Sequence, residues 1–72
     1  MPIRARRVST KKIREAREAA ELKAFELAEI IGVNATAISH YESGVRTPGA
    51  NALANIASAV NVKMDDLMEF IE

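Results

Sequence analysis

Few side chains in this chain could do chemistry. There is one histidine, His40, and no cysteine, so a metal site built on several imidazole or thiolate ligands cannot be assembled. No nucleophile stands in a recognisable set with a base and an orienting group, and no glycine-rich phosphate loop is present. The sequence points to no enzyme and no cofactor. What it does supply is cations, unevenly placed. Residues 1–23 hold Arg4, Arg6, Arg7, Lys11, Lys12, Arg14, Arg17 and Lys23 against Glu15, Glu18 and Glu21. Residues 24–48 set Arg46 against Glu26, Glu29 and Glu42, and residues 49–72 set Lys63 against Asp65, Asp66, Glu69 and Glu72. The three segments carry +5, −2 and −3 in a chain whose net charge is zero. Such a gradient suits an anionic partner at the basic end and leaves an acidic tail facing elsewhere.

With 72 residues the chain makes one domain, near the lower limit for folding without disulfides or metal. No run is long and apolar enough for a membrane span, and no apolar signal region follows the basic start. The expectation is a small cytoplasmic domain with no membrane contact.

The elements that must hold these residues can be placed by their start and stop signals. Residues 1–8 show no apolar period and read as a flexible basic arm; residues 9–72 read as the folded domain. Ser9 or Thr10 can cap a first helix, in which Ile13, Ala16, Arg17 and Ala20 fall on one stripe. The arginine within that stripe calls for a reason. A second helix runs from about Ala24 to Ile31 and stops at Gly32; Asn34 caps a third, which Gly44 closes. A helix, a tight glycine turn and another helix make a helix-turn-helix. Leu53, Ile56, Ala57 and Val60 carry the period of a fourth helix, and Asp65 and Asp66 sit in the first turn of an expected fifth. Five short helices and no strand signal predict an all-α bundle, with Ile13, Leu22, Leu27, Ile31, Val33, Ile38, Tyr41, Leu53, Ile56, Val60, Val62 and Leu67 closing its core. Met64, Met68 and Ile71 would recur along the last helix as a core edge or as a dimer patch.

The stretch "LKAFELAEIIGVNATAISHYESGVRTP" resembles the Cro and phage-repressor (XRE-type) helix-turn-helix family. The resemblance is carried by Leu27-Ala28, Gly32-Val33, Ile38-Ser39, Tyr41-Glu42 and Gly44, and "LANIASAVNVKMDDLM" extends it to Leu67. It implies a five-helix lambda-repressor-like bundle with the helix-turn-helix in helices 2 and 3. It also implies that the first-helix arginine, Arg17, pairs with Glu42 at the end of helix three as a buried structural pair.

The third helix would then lie in the major groove of double-stranded DNA. By position, Ala35, Thr36 and His40 are implied to face base edges, with Ala37 and Ser39 alongside. None is a long amide or guanidinium, so direct readout is expected to cover one or two base pairs at roughly 1–3 kcal/mol each. Arg46, after helix three, is implied to meet the phosphate backbone. Lys11, Lys12, Arg14 and Lys23 are further phosphate candidates, and Arg4, Arg6 and Arg7 either follow a narrow minor groove or form a solvated tail. The family's Ser-Gln at the start of helix two is Lys23-Ala24 here, and Lys63 replaces the usual serine before the last helix, so both side-chain caps are lost.

A homodimer suits a weak reader of bases, because two half-sites combine their affinities. The function implied is a sequence-specific transcriptional regulator, a repressor occupying an operator. The alternative is a module of the same fold that binds another protein, as antitoxin-like and coactivator-like members do; zero net charge, an uncharged third helix and an acidic tail suit it.

Overall fold

The computed structural model describes residues 5–71. Arg4, one of the expected arm contacts, lies outside them. In chain order the elements are β1 (Arg6–Val8), α1 (Thr10–Ala19), α2 (Ala24–Ile31), α3 (Ala35–Ser43), α4 (Ala50–Ala59), a 3-10 turn (Met64–Leu67) and β2 (Met68–Phe70).

Each helix starts and stops for a local reason. Ser9, not Thr10, caps α1: its Oγ accepts the Lys12 N–H at 3.1 Å. Asn34 caps α3 in the same way, its Oδ1 accepting the Ala37 N–H at 2.9 Å. The residues after α1, α2 and α4 take the left-handed conformation, at Glu21, Gly32 and Asn61. In each case the next N–H reaches back to a carbonyl five residues earlier: Leu22 to Arg17, Val33 to Ala28 and Val62 to Ala57. That doubling back turns the chain sharply while satisfying end carbonyls. After α2 it leaves only Gly32, Val33 and the Asn34 cap before α3 begins.

These turns stack α3 on α2 and α1, and α2 on α4. The core they enclose contains Ile13, Leu27, Ile38, Ile56 and Leu67 with no exposed surface, joined by Ala28, Tyr41, Leu53, Ala57 and Val60. Leu22, Ile31, Val33 and Val62 pack at its edge. Among the described residues no helix is long and apolar enough to cross a membrane.

The expected fifth helix is not formed, and Arg6–Val8, the described part of the expected arm, make a strand. Among the described residues there are four α-helices, and the chain's two ends form a two-stranded antiparallel sheet with Arg6 opposite Phe70, Arg7 opposite Glu69 and Val8 opposite Met68. The ladder is continued by Ser9 N–H to the Leu67 carbonyl at 2.8 Å and by Ile71 N–H to the Ala5 carbonyl at 2.9 Å. Over Met68–Phe70 the backbone is extended rather than helical. Pairing with β1 satisfies its backbone groups instead. Met68 consequently packs at the core edge, whereas Met64 and Ile71 stay exposed and no helical stripe joins them.

Candidate nucleic-acid interface

α3 is held from beneath and leaves a small, neutral face outside. Ile38, Tyr41 and Glu42 are its buried residues. Ala35, Thr36 and Ser39 are exposed, while Ala37 and His40 are half-buried, Ala37 against the core. The five residues expected to approach bases therefore share one helix, three of them fully at the surface.

The anchor beneath this face is ionic. Arg17 Nε donates to Glu42 Oε2 at 2.7 Å and Arg17 Nη2 to Glu42 Oε1 at 3.0 Å, a two-pronged contact between α1 and the end of α3. The remaining arm of the guanidinium, Nη1, donates to the Leu22 carbonyl at 2.8 Å. One side chain thus ties α1, the turn into α2 and α3 together. The Glu42 side chain is 5% exposed and that of Arg17 15%. Its hydrogen bonds to Glu42 hold the Arg17 guanidinium above the ordinary arginine pKa, outweighing the opposite push of burial. A pKa raised on folding stabilises the fold fully below the unfolded value and is lost only as pH rises through the folded one. For an arginine that leaves the contribution intact throughout the neutral range. Arg14 Nε adds a longer contact to Glu42 Oε1, 3.3 Å, from a side chain that is mostly solvated.

The loop after α3 is fastened to the same helix. Gly44 is left-handed, and the Arg46 N–H donates to the His40 carbonyl at 3.2 Å, which also accepts from Ser43 Oγ at 3.3 Å. Arg46 therefore leaves the C-terminal end of α3 with its backbone fixed and its side chain exposed. At the other helix of the pair, Lys23 occupies the N-cap position of α2. A lysine side chain has no acceptor to offer the helix, but the reciprocal half of a capping box is made: Glu26 Oε1 accepts the Lys23 N–H at 2.9 Å. Asp66 Oδ2 does the same for the Lys63 N–H at 3.0 Å. These two carboxylates compensate for the missing serine caps, and the signal was in the sequence as an acid three residues after each lysine.

The cations divide into free and engaged. Among the described residues Lys11, Lys23, Arg46 and Lys63 make no ion pair. Lys12 is occupied, its Nζ donating to the Met68 carbonyl at 2.7 Å. Arg6 and Arg7 are not on a loose arm: β1 fixes their backbone, Arg6 Nη2 bonds Asp65 Oδ1 and Arg7 Nε bonds Glu69 Oε1, each at 2.9 Å. Both pairs are exposed, so each is worth little by itself. They nonetheless engage Arg6 with the 3-10 turn and Arg7 with β2.

A neutral helix face flanked by unpaired cations, on a rigid helix–turn–helix, suits a polyanion whose grooves admit a helix. The sequence pattern of helix-turn-helix proteins matches residues 13–67. No curated protein sequence matches the chain at a significant level. Among solved structures, the P22 c2 repressor in complex with a synthetic operator matches with a TM-score of 0.76 and 26% identity, over 81% of this chain and 88% of that one. SinR, a master regulator for biofilm formation solved in complex with DNA, matches with a TM-score of 0.75 and 25% identity, over 81% and 97% of the two chains. SinR is also known in a complex with SinI. The transcriptional regulator VanUg, 21% identical, has a similar fold over 99% of this chain and 93% of its own, with a TM-score of 0.69.

Proposed function

The chain belongs to the XRE-type helix-turn-helix family, and from that premise we propose that it is a cytoplasmic, sequence-specific DNA-binding regulator, a repressor that occupies an operator as a homodimer. The observation that carries this reading is the exposed, uncharged face of α3, with Ala35, Thr36 and Ser39 outermost, on a helix locked by Arg17–Glu42. Laid in the major groove, the alanine methyls and Thr36 meet thymine methyl groups, and Thr36, Ser39 and His40 supply single hydrogen bonds. Small side chains let the helix backbone approach the groove floor. Arg46 and Lys23, at the ends of α3 and α2, bind phosphates and set the register of the helix on the duplex. Two copies on two half-sites compensate for the modest reading by each. Support comes from the P22 c2 and SinR complexes with DNA, whose chains share this fold at 25–26% identity.

This reading makes salt the first test. Each phosphate neutralised releases counterions, so the logarithm of duplex affinity should fall linearly with the logarithm of salt, by about 0.9 per contact. Arg46→Ala should weaken binding on all sequences alike and make that slope shallower by about one. A slope that Arg46→Ala leaves unchanged would remove Arg46 from the interface; no salt dependence would remove DNA.

The alternative, a protein-binding module, draws support from the SinR–SinI complex and from an acidic strand in a chain of zero net charge. It expects a folded chain with only weak, nonspecific DNA affinity.

A further inference from the structure

The terminal sheet has a feature that DNA binding does not use. In an antiparallel pair, residues alternate between those bonded to the partner strand and those whose N–H and C=O point outward. The bonds from Ser9 to Leu67 and from Ile71 to Ala5 set the phase of this ladder. Arg7 and Glu69 are bonded to each other, while Arg6 and Val8 turn their backbone groups away from β2. No hydrogen bond reaches those groups of Arg6 and Val8 among the described residues. The outer edge of β1 is thus open, and it is lined by two arginines that spend one nitrogen each on Asp65 and Glu69. Among the described residues their remaining guanidinium donors have no partner.

The edges of a sheet invite another strand, and charge decides which. A second copy paired antiparallel through its own β1 would bring Arg6 opposite Arg6 or Arg7 opposite Arg7, and like charges directly opposite repel. A second copy using the outer edge of its β2 is blocked at Met68, whose N–H is bonded to the Asp65 carbonyl and whose carbonyl holds Lys12 Nζ. What β1 accepts on its closed side is Met-Glu-Phe, an acidic strand between apolar neighbours. We propose that the open edge of β1 takes an extended acidic segment of another protein, which adds a third strand through the backbone groups of Arg6 and Val8 and gives its carboxylates to Arg6 and Arg7.

The test is a titration of the isotope-labelled chain with two synthetic peptides, one repeating Glu-Glu-Val-Val so that carboxylates lie on both faces of the added strand, the other repeating Lys-Lys-Val-Val. The acidic peptide should shift the Arg6 and Val8 amides and slow their hydrogen exchange, binding about tenfold or more tighter than the basic one. Arg6→Pro removes the outward N–H and one guanidinium but no bond of the β1–β2 ladder, so it should weaken the acidic peptide about tenfold with little change in thermal unfolding. Equal binding of the two peptides, or silence at those two amides, overturns the proposal, and that comparison stands even if the proline variant fails to fold. Protection of the edge that grows with protein concentration alone would assign it to a second copy. Shifts of the same amides on adding duplex DNA alone would assign the arginines to phosphates. Either result overturns it as well.

Discussion

Replacing Arg17 with alanine should remove a large share of the protein's folding stability. The substitution leaves the Glu42 carboxylate, 5% exposed, with only the 3.3 Å contact to Arg14, and an uncompensated buried charge costs about 3–5 kcal/mol. A domain of this length has a total stability of only about 4–11 kcal/mol at roughly 0.05–0.15 kcal/mol per residue. The Leu22 carbonyl also loses its donor. Arg17→Lys should recover part of the loss, because an ammonium can reach Glu42 but cannot bridge both of its oxygens and Leu22 together. Pairing Arg17→Met with Glu42→Leu should cost far less than Arg17→Ala alone, since an apolar pair removes the stranded charge along with its partner. Urea unfolding of the three variants checks the order. Arg17→Ala within about 1 kcal/mol of the unmodified chain would mean that solvent reaches Glu42 and that the pair is an ordinary surface contact.

The second large effect is on binding. Thr36→Glu places a carboxylate in the first turn of α3, where the helix dipole stabilises it by about 0.3–1 kcal/mol. The fold should therefore be unharmed. Against a duplex the same carboxylate meets phosphates and acceptor-rich base edges, a juxtaposition of like charge costing several kcal/mol. Affinity should fall about 100-fold or more, at 1.4 kcal/mol per tenfold. Unfolding curves and duplex titrations on one preparation separate the two consequences. An unchanged affinity in a folded Thr36→Glu variant would take α3 out of the groove.

The helical part was legible because its signals are local. Gly32 and Gly44 sit at left-handed positions, Asn34 and Ser9 are caps, and the apolar residues that close the core recur at helical spacing. The family resemblance added what no local signal contains, that Arg17 and Glu42, 25 residues apart, belong together. The sheet was not legible. Arg-Arg-Val and Met-Glu-Phe are too short for an alternating pattern to stand out, and each becomes a strand only because a partner about sixty residues away satisfies its backbone. The same distance hid the engagement of Arg6, Arg7 and Lys12, which sequence alone presents as free cations. Lys23 and Lys63 mislead in the opposite sense. They look like lost caps, yet Glu26 and Asp66 close those helix ends from within the first turn.

The most direct measurement is selection of bound duplexes from a random library by the unmodified chain, at low and at physiological salt, with Thr36→Glu beside it. The account predicts an enriched two-fold symmetric motif that persists at physiological salt and disappears with Thr36→Glu. No enrichment by the folded, unmodified chain, with binding that vanishes as salt rises, would contradict it and leave the helix-turn-helix here as a scaffold for binding protein.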